Sequence, residues 1–193
     1  MIDIIKFKII TIPVVTVILL LISIFIIGIS WWGPQEFISI FSILFLILSL
    51  LIFEIFAIYI IPVIQKDSIT EMEQHFLVKS IREKNIINIW LFFPLTMLFE
   101  ELIFRLYIFV FLYITFGFIT AIILGAFTFG LYHIHTWFEF KNKNITYSFI
   151  IISTILGIIL NILMYYFGLP TCIIVHWVTV FMIFYFIERK FIA

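Results

Sequence analysis

Glu100, Glu101, Arg105, His133 and His176 are side chains that can take up, release or steer protons, and each lies inside a strongly apolar run. An ionisable group at the centre of a bilayer is costly unless it is paired or hydrated, so each of these residues requires partners. In Phe99-Glu100-Glu101-Leu102-Ile103-Phe104-Arg105, residues four apart share a helical face, which predicts an ion pair between Glu101 and Arg105. Glu100 points about 100° away from Glu101 on the same helix and is left as a carboxylate awaiting partners from elsewhere. His133 and His176 are the candidates at membrane depth.

A carboxylate kept from bulk water can serve as a general base. One histidine beside it can orient the attacking water or shuttle its proton, and a second can donate to the developing oxyanion. That set describes amide hydrolysis without a covalent nucleophile. Glu100, His133 and His176 with a water would also suit Zn²⁺, although the His-Glu-x-x-His pattern of common metalloproteases is absent. Taken singly, each residue has a structural reading: an ion pair can hold helices together, and a membrane histidine can hydrogen-bond a neighbour. Taken together on three separate spans, they point to a site.

The elements that must position them are membrane spans. Of 193 residues, 65% are hydrophobic, 20% aromatic and 11% charged, where a soluble domain carries roughly 25% charged residues. The predicted fold class is all-α, a polytopic membrane bundle of about six transmembrane helices, in one integral membrane domain over 1–193. Apolar runs and breakers place the spans at 9–29, 37–64, 87–116, 118–137, 146–166 and 169–187. The first is too long for a signal-peptide core and is read as a retained helix. Trp31-Trp32-Gly33-Pro34, Gly117 and Gly168-Leu169-Pro170 mark turns, and Gln65 to Asn85 reads as a solvated or interfacial helix. Gly125, Ala126 and Gly130 allow close approach of a neighbouring helix to span 4. Pro94 is expected to kink span 3 ahead of Glu100. Glu54 in span 2 is read as structural, and His135 and Trp137 as interfacial. Cys172, the single cysteine, excludes an internal disulfide.

Orientation follows from the basic residues. Lys6, Lys8, Lys66, Lys79, Arg82, Lys84, Lys141, Lys143, Arg189 and Lys190 all fall on one side of six crossings, which predicts a multi-pass cell-membrane protein with both termini cytoplasmic. The exception among the 11 basic residues is Arg105, in the middle of span 3.

Glu100-Glu101-x-x-x-Arg105, then Phe129-x-x-x-His133, then His176, in this order on successive spans, resemble the motifs of the CPBP family of CAAX prenyl proteases and bacteriocin-processing enzymes, also called Abi. Tyr165-Tyr166-Phe167-Gly168-Leu169-Pro170 resembles the approach to that family's last motif, and the likeness covers about residues 90–185. The resemblance implies an intramembrane endopeptidase. Glu100 would activate water with help from His133, His176 would support the oxyanion, and Glu101 and Arg105 would hold the site together. The family is described both as metal-dependent and as glutamate-dependent. The expectation here is no cofactor, with Zn²⁺ on Glu100, His133 and His176 as the metal-dependent alternative. One position departs: where the family's last motif has asparagine four residues after its histidine, this chain has Val180. Thr179 and Asn161 are the candidates to replace that donor.

The expected partners are the lipid bilayer and a peptide or membrane-anchored protein substrate, with no nucleic acid. Two other classes compete. A non-catalytic relative would use the same fold as an immunity-type or scaffold protein that binds a peptide or protein. A transporter would also bury Glu, Arg and His, but the inverted-repeat type would show related halves, and residues 1–90 and 91–193 show no such relation.

Overall fold

The computed structural model describes residues 14–22, 40–64 and 69–189, and among these every regular element is helical. Helix α1 (14–22) is followed by α2 (Ile40–Ile64), a 3₁₀ turn (Ile69–Gln74) and α3 (Phe76–Arg82). The next helix, α4, is continuous but changes pitch: π-helical over Asn88–Phe92, α-helical over Phe93–Glu101, π-helical over Leu102–Phe109 and α-helical over Val110–Phe116. Then come α5 (Phe118–Tyr132), a 3₁₀ turn (His133–His135), α6 (Thr136–Phe140), α7 (Lys143–Phe167) and α8 (Leu169–Ile187).

The expectation of an all-α membrane bundle holds. Phe118–Phe140 taken as one rod, α7 and α8 are each long and apolar enough to cross a bilayer, and Ile47–Ile58 is a shorter apolar stretch within α2. Side chains such as Phe111, Ile114, Ile119, Phe138 and Ile174 are exposed around the outside. A soluble protein could not present so continuous an apolar surface without aggregating, whereas lipid solvates it. The expected first span is described only over 14–22. The turn at 30–36 lies outside the described residues, as do Lys6, Lys8, Lys66 and Lys190.

The breakers act where the sequence placed them. Gly117 and Gly168 adopt φ +82° and +80° between α4 and α5 and between α7 and α8, a region L-residues avoid. Pro94 has no N–H to return to the preceding turn. The helix widens just upstream of it, with the Phe93 N–H reaching Asn88 O five residues back. The expected kink is therefore a π-helical turn.

Packing is closest between α5 and α7. A Cβ at Gly157 would lie 3.0 Å from Ala126 Cα and 3.2 Å from Phe129 Cδ1, so α7 meets α5 backbone to backbone. Lipid provides no hydrophobic drive between helices, and this close van der Waals fit, with interhelical hydrogen bonds, holds them together. On the basic side, α3 lies against α8. Leu77, Val78 and Ser80 of α3 are buried, and His75, which caps α3 by accepting from Leu77 N, stacks on Phe184 of α8 at 4.3 Å. The segment 69–82 is thus helical and docked on the bundle rather than simply solvated.

Candidate active site

Glu100 and Glu101 end the α-helical part of α4, and Arg105 sits in the π-helical part that follows. Arg105 Nε lies 2.9 Å from Glu101 Oε2, with both side chains fully buried, so the i,i+4 pair expected from the sequence is present. The N–H direction misses hydrogen-bond alignment, which makes this a contact of charges. Arg105 has two further partners. Its Nη1 donates to Asn161 Oδ1 at 3.3 Å, and its guanidinium lies 4.4 Å from the centroid of the Phe129 ring. Asn161 in turn donates from Nδ2 to Ile122 O at 3.0 Å, which ties α7 to α5. Gly125 makes room for that amide: a Cβ there would be 2.8 Å from Asn161 Nδ2.

His176 comes from α8, about two turns into the helix that Gly168 and Pro170 start. Its Nδ1 lies 2.8 Å from Glu101 Oε1. A carboxylate oxygen accepts, so Nδ1 carries the proton and a neutral ring has its lone pair on Nε2. Glu101 therefore divides its oxygens between Arg105 and His176. The His176 Nε2 is 4.0 Å from Glu100 Oε2, too long for a direct hydrogen bond. Glu100 Oε2 is buried and has no hydrogen-bond partner among the described residues.

His133 stands beside this network rather than within it. Its Nδ1 lies 3.0 Å from Phe129 O, and a carbonyl only accepts, so Nδ1–H points inward to the backbone and Nε2 is left as the reactive nitrogen. The Phe129 ring meets His133 and His176 edge-on, at centroid distances of 5.1 and 5.5 Å. The structure thus brings together Glu100, Glu101, Arg105, Asn161 and His176, and sets His133 across one aromatic ring from them.

The two candidate replacement donors are engaged elsewhere. Asn161 serves Arg105 and Ile122, and the buried Thr179 lies close enough to the carboxyl of Glu54 from α2 to interact with it. As for a metal, no three His, Cys, Asp or Glu side chains among the described residues are grouped to hold an ion, so Glu100, His133 and His176 as arranged here do not form a zinc ligand set.

Sequence reasoning did not find that Asn161 supports Arg105. The signal was a lone amide in span 5 facing a glycine of span 4. It also did not find that His176 binds Glu101 more closely than Glu100, because helix-to-helix register has no local signature.

An all-α membrane bundle with a buried Glu-Glu-Arg-His network at its centre is the class that fold and site define. A family model described as type II CAAX prenyl endopeptidase Rce1-like matches residues 82–182, just over half of the chain. The protein belongs to this Rce1-like family, a family of protease-type membrane proteins. The match encloses Glu100, Glu101, Arg105, His133, Asn161, His176 and Thr179, and leaves out α1 and α2. Among curated proteins and solved structures, none matches the chain.

Proposed function

We propose that the protein is an intramembrane endopeptidase that hydrolyses a peptide bond of a peptide or membrane-anchored substrate, without a metal, through water activated by Glu100. The carrying observation is the 4.0 Å separation of Glu100 Oε2 from His176 Nε2. A single oxygen atom about 2.8 Å from each spans that gap within hydrogen-bond range. A water held there gives its proton to Glu100 as its oxygen attacks the carbonyl carbon, and that proton passes to the leaving amine when the C–N bond breaks. Glu101 fixes the His176 ring, and Arg105 offsets the second buried carboxylate. His133, whose free Nε2 faces away from its own backbone contact, serves the proton transfers at the edge of the site. The chain ends lie on the cytoplasmic side, where the basic residues gather.

A specific observation favours the non-catalytic alternative, a scaffold or immunity-type protein. Glu101 and Arg105 are completely buried, and Glu100 and His176 are 6% and 2% exposed, so a substrate must part helices to enter. Purified protein in liposomes with a peptide library separates the two readings. The wild type is expected to cleave, Glu100→Gln to lose cleavage by 10²-fold or more (about the scale of general-base catalysis), and a chelator to change nothing. Cleavage by Glu100→Gln would remove Glu100 from its role. Loss on chelation would move the chemistry to a metal, and no cleavage by wild type would favour the scaffold.

A further inference from the structure

Hydrolysis at Glu100 needs a hydrogen-bond donor aimed at the oxygen that becomes negative as water adds. The polar side chains around the site can be taken in turn. The Asn161 amide donates to Ile122 O, and Thr179 lies beside the carboxyl of Glu54. His176 spends Nδ1–H on Glu101, and its Nε2 offers a proton only if the ring is doubly protonated. His133 spends Nδ1–H on Phe129 O, and the Arg105 guanidinium is held between Glu101, Asn161 and Phe129, where its Nη2 has no partner among the described residues. Val180, one turn beyond His176 on α8, has nothing to donate.

Tyr132 adds a hydroxyl donor that lies outside the Glu-Arg-His network. It is the last residue of α5, directly before His133, and it is half-buried. Its ring rests on Phe104 at a centroid distance of 5.2 Å. Phe104 lies four residues after Glu100 on α4, so Tyr132 leans over the face of α4 that carries Glu100. The phenol is also close enough for the Glu100 carboxylate to act on it electrostatically. Contacts at 5.4 Å to His133 and 4.8 Å to His135 fix the ring from its other side. Its interactions with described residues are these ring contacts and the charge of Glu100, and the hydroxyl donates to no described residue. Tyrosine is among the side chains that serve as oxyanion donors.

We infer that Tyr132 is a further catalytic residue, whose phenol O–H donates to the oxyanion formed when water activated at Glu100 adds to the substrate carbonyl. The inference rests on the endopeptidase reading of this site. The step leaves the phenol proton on Tyr132, and the O–H···O contact strengthens as charge develops and relaxes as the C–N bond breaks.

The test uses the full chain in liposomes with a cleaved peptide and compares wild type, Tyr132→Phe, Val180→Asn, the double variant and Glu100→Gln. Tyr132→Phe is expected to lose about 10²–10³ in kcat with little change in KM, while its thermal unfolding in detergent stays at the wild-type value. Val180→Asn places an amide four residues after His176 on the same helical face, so in the Tyr132→Phe background it is expected to restore at least a tenth of wild-type kcat. Wild-type kcat in Tyr132→Phe, with Glu100→Gln inactive, would overturn the role of Tyr132 and leave the endopeptidase reading intact. A loss in KM alone would make Tyr132 a binding residue and overturn it too. Full cleavage by Glu100→Gln would remove both readings together.

Discussion

Replacing Arg105 with methionine tests the physical basis of the site directly. The substitution keeps an unbranched apolar stem and removes the charge that lies 2.9 Å from Glu101. It also removes the donor to Asn161 at 3.3 Å and the cation over Phe129 at 4.4 Å. Breaking one side of a buried ion pair costs about 3–5 kcal/mol, because the remaining charge is left uncompensated. Interhelical hydrogen bonds in membranes average only about 0.6 kcal/mol, so the stranded carboxylate dominates and the bond to Asn161 is a minor part. A loss of about 4 kcal/mol lowers the folding equilibrium roughly a thousandfold. Replacing Glu101 with leucine as well removes the stranded charge, and the double variant is expected to recover most of that loss. It would remain short of wild type by about 1 kcal/mol for the missing contact to His176. The assay is equilibrium unfolding in mixed detergent and SDS micelles followed by far-UV circular dichroism. An Arg105→Met protein within about 1 kcal/mol of wild type would refute the reasoning, as would a double variant no more stable than the single one.

Two further substitutions probe the supports of the network. Gly125→Ala puts a methyl 2.8 Å from Asn161 Nδ2, on a side chain held by Arg105 and Ile122, and is expected to cost about 1–3 kcal/mol in the same unfolding assay. Adding Asn161→Ala should return part of it, and additive losses would mean that the two positions do not touch. Thr179→Val removes the hydroxyl beside the Glu54 carboxyl and is expected to cost about 1–3 kcal/mol, while Thr179→Val with Glu54→Leu should lie close to wild type. Equal stabilities across that pair of variants would show that the contact contributes nothing.

The membrane class, the ends of the last helices and the Glu101–Arg105 pair were legible in the sequence because each is set by a short-range rule. Residues 169–187 were expected as the last span and α8 runs over Leu169–Ile187, since Gly168 and Pro170 define its start chemically. Span 4 differs more. It was expected to cross over about 118–137, and within that range it tightens into a 3₁₀ turn at His133–His135, where both histidines turn back to carbonyls of α5. The pitch changes of α4 were foreshadowed only at Pro94. The longer π-helical stretch through Arg105 has no composition signal of its own.

The sequence alone therefore determined which residues had to be buried and paired: intramembrane charge is so costly that Arg105 had to have an anion, and position Glu101 supplied it one turn away. Only the tertiary structure decided how the remaining bonds were distributed. It turned His176 Nδ1 toward Glu101, left Glu100 Oε2 without a partner, and set His133 on the far side of Phe129. It also set Tyr132 of α5 against Phe104 of α4. The physical reason is that the i,i+4 relation is fixed within one helix. Which side chain of α5, α7 or α8 reaches α4 depends instead on how closely the helices approach at Gly125 and Gly157 and how each is rotated about its axis.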